Sequence, residues 1–383
     1  MIKENNSWRE LKMENLGEII SGGTPKTDSP NFWNGNINWI TPTDVTALKG
    51  KKYISFTKRK ISEEGLKNSS ANMLPIGTLI VCTRATIGDS VINKVPISTN
   101  QGFKSLITKS DVSSEFMYYW MTSNKAELIK QSSGSTFLEL STKSFKSLEV
   151  LLPPLPEQQK IAEILSTVDA KIEVIDQQIT ETQALKKGLM QCLLTKGIGH
   201  TEFKDSPLGE IPKSWEVVKI GDVLKLGSGK DYKHLGVGTI PVYGTGGIMT
   251  YVDNYLFDGE SVGIGRKGTI DKPVLLKDKF WTVDTLFYTH SFNNITPYFV
   301  YIVFQSIKWR GYSEATGVPS LSKNIIEPIN IPLPTMDEQV KISNIFSSID
   351  SKLEVLSEKK THYQGLKQGL MQQLLTGKLR VKI

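Results

Sequence analysis

A chain of 383 residues and 42.7 kDa exceeds one ordinary hydrophobic core and predicts two or three domains. Its 39% hydrophobic and 22% charged residues exclude a disordered polymer, and 46 Lys and Arg against 39 Asp and Glu leave a net charge of +7 that favours an anionic partner. With only Cys82 and Cys192, and with His200, His234, His290 and His362 each standing singly, neither a disulfide framework nor a local metal site is expected.

The opening MIKENNSWRELKMENLGEII is charged throughout, and no later stretch offers eighteen uninterrupted apolar residues. It reads as neither a signal nor a membrane span, so a cytoplasmic chain with no membrane role is expected. In the first block, residues 78–82, 90–93, 102–108 and 148–152 read as strands, being apolar and β-branched runs between Gly and Pro, and 115–123 as a helix. Pro153, Pro154 and Pro156 then close the strand, and Glu157 falls in a first helical turn, where a carboxylate suits the helix dipole. From there Ile161, Leu165, Val168, Ile172, Ile175 and Ile179 step by four and three, and the seam passes through Thr182 and Lys186 to Leu189 and Leu193. About 38 helical residues at about 1.5 Å each make a rod of about 57 Å. After a short linker, residues 196–206, a second block follows with a helix expected at 297–306. A second seam, Ile342, Phe346, Ile349, Leu353 and Leu356, weakens through Lys360, Tyr363 and Lys367 and recovers at Leu370 and Leu374.

The two seams belong to a repeat. Residues 152–195 align without a gap to 333–376 at a constant offset of 181 positions, Glu157-Gln158 recurring as Glu338-Gln339 and Gly188-Leu189-Met190-Gln191 as Gly369-Leu370-Met371-Gln372. About half the positions are identical, too many for chance, and two copies of one structural unit are implied. The flanking blocks repeat faintly: Ser7-Trp8 with Ser214-Trp215, Phe116-Met117-Tyr118 with Phe299-Val300-Tyr301, Ser133-Gly134 with Thr316-Gly317, and Arg84 with Arg266. A seam this long must be buried, and the other copy is the obvious partner. Chain order makes the pair antiparallel, with one globular domain at each end and a pseudo-two-fold axis across the rod.

The catalytic signatures in the chain are incomplete. Gly263-Ile264-Gly265-Arg266-Lys267-Gly268 matches GxGxxG, but Thr269 to Pro273 reads as turn and strand where a dinucleotide site needs a helix. Gly227-Ser228-Gly229-Lys230 is followed by Asp231 instead of the metal-binding Ser or Thr of a phosphate loop. There is no amino-methyltransferase motif and no nuclease carboxylate set. Basic residues interleave with aromatic and glycine-rich stretches instead: Lys49, Lys51, Lys52, Tyr53, Phe56, Lys58, Arg59 and Lys60 in the first block, and Lys230, Lys233, His234, Arg266 and Lys267 in the second. Cations suit phosphates and forked donors suit base edges. The candidate DNA-binding set is Lys26, Trp33, Lys51, Lys52, Lys58, Arg59, Arg84, Asn100 and Gln101, with Lys230, Lys233, His234, Arg266 and Lys267. Arg84 and Arg266 are paired as a DNA-facing cation common to both blocks.

Gly22-Gly23-Thr24-Pro25, Phe32-Trp33-Asn34-Gly35, Trp39-Ile40-Thr41-Pro42, Tyr243-Gly244-Thr245-Gly246-Gly247, Arg266-Lys267-Gly268-Thr269-Ile270, the Pro-Leu-Pro-Glu-Gln-Gln run from Pro154 to Gln159 and the duplicated Gly-Leu-Met-Gln together carry a family resemblance. The chain resembles the specificity subunit of type I restriction–modification systems over essentially its whole length; Pro334-Thr335-Met336-Asp337 departs from the proline-rich approach to the first helix. The resemblance implies an α+β chain of two mixed α/β target recognition domains separated by an antiparallel two-helix coiled coil, with residues 1–153 and 198–334 as the domains and 154–197 and 335–383 as helical regions. It implies a non-catalytic reader of double-stranded DNA with no cofactor of its own. Two modification subunits would bind S-adenosylmethionine and methylate adenine, and restriction subunits would use ATP and Mg. Each domain would read half of a bipartite site, with the rod setting the spacer and docking the modification subunits. The alternatives are the recognition part of a single-chain restriction endonuclease–methyltransferase, for which the length leaves no catalytic room, and a coiled-coil scaffold, which leaves the basic loops unexplained.

Overall fold

Two helices of 39 residues each, Leu155–Leu193 and Met336–Leu374, begin and end at matching positions of the repeat. The second has no proline at its start; Thr335 serves instead, its Oγ1 accepting from Glu338 N at 3.4 Å and its carbonyl from Gln339 N at 2.9 Å. The computed structural model describes residues 8–134, 138–313, 315 and 317–383, so Ser7 and Thr316 of the faint correspondences lie outside the described residues. The chain divides into two compact units, Met1–Ile175 with Lys359–Ile383, and Asp176–Glu358. Each helix contributes about half of its length to each unit.

In the first unit a five-stranded sheet runs in the order Gly17–Ser21, Phe103–Thr108, Leu79–Cys82, Ser90–Asn93, Tyr53–Ile54, antiparallel except at the last pairing. Leu79–Cys82 is buried throughout because both faces are covered: Leu79 and Val81 join the core that includes Phe116, Tyr119 and Phe145, while Ile80 and Cys82 join a second cluster with Ile40 and Phe103. The larger core also takes in Ile161 and Leu165 from the start of the first long helix and Met371, Leu374 and Leu375 from the end of the second. The expected strands and the helix Ser114–Ser123 form within a residue of their expected limits.

The second unit repeats this plan. Its main sheet runs Lys225–Ser228, Leu286–His290, Ser261–Gly265, Val274–Leu276, antiparallel throughout. Its core joins Trp215, Phe299, Phe304 and Trp309 to Leu193 and Leu194 from the end of the first long helix and to Ile342, Phe346 and Ile349 from the start of the second. Both units carry a smaller sheet with one parallel pairing at equivalent places: Trp39 beside Ser98 and Ile40 beside Thr99, matched by Val242 beside Trp281 and Tyr243 beside Thr282.

Two polar interruptions of the seams, Lys186 and Lys367, are paired across the helices. In the first unit Lys367 Nζ lies 2.6 Å from Asp169 Oδ1, and Tyr119 OH donates to Asp169 Oδ2 at 2.7 Å. In the second, Lys186 Nζ lies 2.6 Å from Asp350 Oδ1, and Tyr298 OH donates to Oδ2 at 3.0 Å. Asp169 and Asp350 are one repeat position and Lys186 and Lys367 another, so the same interhelix pair occurs once in each unit. Each aspartate also ties the long helices to the globular domain through a tyrosine. Along the first helix Ile161, Leu165, Val168 and Ile175 are buried and Ile172 half-buried; along the second Ile342, Phe346, Ile349 and Leu356 are buried and Leu353 half-buried.

The helix starts are closed the same way twice. Trp8 Nε1 donates to Glu157 Oε2 at 3.1 Å and Trp215 Nε1 to Glu338 Oε2 at 2.8 Å. Arg380 then donates to both oxygens of Glu157, at 2.7 and 2.8 Å, where His200 Nε2 contacts Glu338. Gln158 accepts from Ser113 N and Gln339 from Thr296 N, fixing the domain helices Ser114–Ser123 and Pro297–Ser306. Burial pushes the Glu157 carboxyl up, but hydrogen bonds from Arg380, Trp8 and Val381 N together outweigh it and hold it below its ordinary range. The unfolded chain therefore binds the extra proton, and this stabilisation, present above the ordinary carboxylate pKa, is lost as pH falls through the folded value. In urea titrations between about pH 5 and 3, Glu157→Gln is expected to flatten the acid loss of stability; equal slopes for the two proteins would contradict this.

Candidate nucleic-acid interface

In the first unit most of the expected residues converge on one edge, at the loop that follows strand Gly17–Ser21. Gly23 N donates to Thr99 O, and Gly23 O accepts the indole of Trp39 at 2.9 Å. Lys26 O accepts the indole of Trp33 at 3.0 Å, and Thr24 hydrogen-bonds Gln101. Trp33 and Trp39 meet edge to face at 5.1 Å, and the Arg59 guanidinium lies 4.0 Å from the first ring and 5.0 Å from the second. Asn100 Oδ1 accepts from Gly102 N, whose carbonyl accepts from Thr83 N, and Arg84 follows, bound to Glu139 at 2.8 Å. Lys26, Lys58, Arg59, Arg84 and Gln101 are exposed there. Near Arg84 and Glu139, Lys104 is buried, and that burial lowers its pKa against the pull of Glu139; a single lysine inside an apolar strand carries no signal in the sequence.

Lys51 and Lys52 are placed elsewhere. Lys51 pairs with Glu173, and Lys52 reaches Ser166 Oγ at 2.6 Å and Glu115 at 3.4 Å, so both ammonium groups are drawn to the first long helix. Burial lowers the Lys52 pKa, with Glu115 opposing the shift. A charge run in sequence does not say which way a hairpin faces, and here it splits: Lys58 and Arg59 stay at the loop edge.

The second unit builds the equivalent edge from other side chains. Lys230 N donates to Thr282 O at 2.8 Å, and Lys230 O accepts the indole of Trp281, which lies edge-on to His234 at 5.8 Å. Val283 N donates to Tyr243 O, as Asn100 N does to Ile40 O in the first unit. Lys230, Lys233, His234, Arg266 and Lys267 are exposed, and Gly268 N bonds Pro319 O. The glycines of the two phosphate-like motifs serve backbone approach: a Cβ on Gly229 would stand 1.9 Å from Val283 O, and one on Gly265 2.1 Å from Thr269 O.

Strand register corrects the expected pairing of Arg84 with Arg266. Thr83 N donates to Gly102 O and Thr83 O accepts from Leu140 N; the residue making the same two bonds in the second unit is Arg266, with Thr285 O and Leu321 N. Arg84 bridges Glu139 and Lys267 bridges Ser320. The counterpart of Arg84 is therefore Lys267. Matching by residue identity misplaced the pair by one position, and Arg266 instead donates to Asp284 O at 3.4 Å.

Among the described residues no three His, Cys, Asp or Glu side chains gather as a metal site, and no helix is long and apolar enough to cross a membrane. What the two edges offer is exposed cations and amides beside aromatic rings on hydrogen-bonded backbone, chemistry that suits a nucleic-acid surface.

The family model for the type I restriction modification DNA specificity domain matches twice, over residues 5–184 and 212–362. The chain belongs to the type I restriction–modification specificity subunits, a family of non-catalytic DNA-recognition subunits. It is similar to the MjaVIII specificity subunit of Methanocaldococcus jannaschii, 29% identical across 98% of this chain and 93% of that one. With the MjaIX specificity subunit of the same organism it is 37% identical over 58% of this chain, and the match spans 53% of that relative. In fold it resembles the crystal structure of the S subunit from M. genitalium, with a TM-score of 0.65, 16% identity and coverage of 100% and 98% of the two chains. It also resembles a chain solved in work on complex assembly and conformational transition of the type I system, with a TM-score of 0.60, 15% identity and coverage of 99% and 100%.

Proposed function

We propose that this chain reads a bipartite double-stranded DNA target in the cytoplasm, one half-site by each domain edge. Lys26, Trp33, Lys58, Arg59, Arg84, Asn100 and Gln101 serve the first half-site, and Lys230, Lys233, His234, Arg266 and Lys267 the second. Two modification subunits supply S-adenosylmethionine chemistry at adenine, and restriction subunits supply ATP- and Mg-dependent cleavage. The paired helices set the unread spacer and carry docking positions for the modification subunits.

The observation that supports this best is one backbone scaffold built twice with different side chains at its edge. The parallel pairings at Trp39 and Ile40 recur at Val242 and Tyr243, yet the exposed residues beside them differ. A shared scaffold with divergent decoration suits two readers of different sequences, because base discrimination resides in side chains at groove edges. The test is methylation of random DNA by the chain alone, by a modification subunit alone and by both together. Site-specific methylation is expected only from the mixture, at a site of two defined halves around an undefined spacer; methylation by the pure chain would refute the assignment.

A further inference from the structure

The chain contains 40 lysines and only six arginines. Four of the six are committed to carboxylates: Arg9 to Asp111, Arg84 to Glu139, Arg310 to Asp271 and Arg380 to Glu157. Arg266 donates to a backbone carbonyl. Arg59 is different: among the described residues its guanidinium meets no acceptor and is held only by the rings of Trp33 and Trp39.

That hold is well determined. Each indole is fixed in rotation by a hydrogen bond to the loop, Trp33 to Lys26 O and Trp39 to Gly23 O. The Arg59 main chain is fixed too, its carbonyl accepting from Trp39 N at 3.2 Å and from Thr57 Oγ1 at 2.7 Å. The rings therefore orient the cation without using its N–H groups, which leaves the donor fork available. Part of the ordering cost of a bidentate contact is met before any ligand arrives.

Guanine presents two acceptors, O6 and N7, on its major-groove edge, and the arginine fork matches them. A phosphate would accept the same fork. The surroundings favour the base. A sequence-independent phosphate contact needs only a point charge, which the exposed Lys26 and Lys58 of the same edge supply, whereas an oriented planar fork on an edge that also carries the polar side chains of Thr24, Asn100 and Gln101 suits a base. We propose that Arg59 is a specificity-determining residue that reads a guanine in the half-site recognised by the first domain. This rests on the DNA-reading function proposed above.

The test maps methylated sites for the complex of the full chain with its modification subunits, comparing wild type with Arg59→Ala and Arg59→Lys. The lysine variant keeps the charge and the ring contact but lacks the fork, and equal melting temperatures show that the variants are folded. Discrimination at a single G·C pair of one half-site is expected to fall by about 10- to 100-fold in both variants, with the other half-site and the spacer unchanged. Uniform loss across all sites, with a salt slope shallower by about one and no degenerate position, would identify a phosphate contact and overturn the proposal while leaving the DNA-reading function intact. Unchanged methylation would overturn it in the same way. A wild-type complex that methylates no defined bipartite site would instead sink the underlying function.

Discussion

Replacing Trp215 with alanine is expected to destabilise the second unit by about 3–5 kcal/mol, the cost of removing a fully buried aromatic from a packed core. Trp215 has no exposed surface, and its indole N–H is donated to Glu338 at the start of the second long helix. Trp215→Phe keeps most of the apolar volume and removes only that donor, so a smaller loss of about 1–3 kcal/mol is expected. Denaturant titrations of the two variants separate packing from hydrogen bonding. If both cost less than about 0.5 kcal/mol, as surface changes do, the ring does not close the helix start.

Adding about seven residues to one long helix alone is expected to abolish site-specific methylation, because the seam of that helix no longer meets its partners. Matched additions to both helices restore the register and lengthen each by about 10 Å. With one base pair per about 3.4 Å, that moves the half-sites apart by roughly three base pairs, with a change of phase absorbed by DNA twist. The half-site sequences themselves should not change. Methylation-site mapping of the doubly extended chain measures this, and an unaltered spacer would assign the separation to the modification subunits.

Much of this organisation was legible because the repeat is strong where it is structural. The gapless match fixes two helices of equal length, and both form at equivalent positions. Lys186 and Lys367 were visible only as weak points in a seam, because each one's partner lies far away in sequence, Asp350 and Asp169 respectively. The Trp8 and Trp215 pair was visible as an echo, but its purpose was not, since Glu157 and Glu338 reach those rings only through tertiary packing. Tyr119 and Tyr298 do the same work for the two aspartates from non-equivalent positions of the domain helices, which no alignment would pair.

The interface was legible as chemistry but not as placement. Arg59 stands well after Trp33 and the Gly22-Gly23-Thr24 loop in the chain, and the strand pairings bring them together. Lys51 and Lys52 looked like members of the same basic run, yet a strand paired to Ser90–Asn93 follows them, and their side chains turn to the first long helix. Hydrogen-bond register, absent from sequence, likewise decided that Lys267 and not Arg266 matches Arg84.

Whether each domain reads its half-site independently is tested by methylation-site mapping after exchange of one domain. A chain in which residues 8–152 are replaced by the corresponding segment of another family member, with both long helices kept, is assembled with the modification subunits and given random DNA. One half-site is expected to change to that of the donor, while the other half-site and the spacer stay as they were. If both half-sites changed, or neither did, the two domains would not be independent readers.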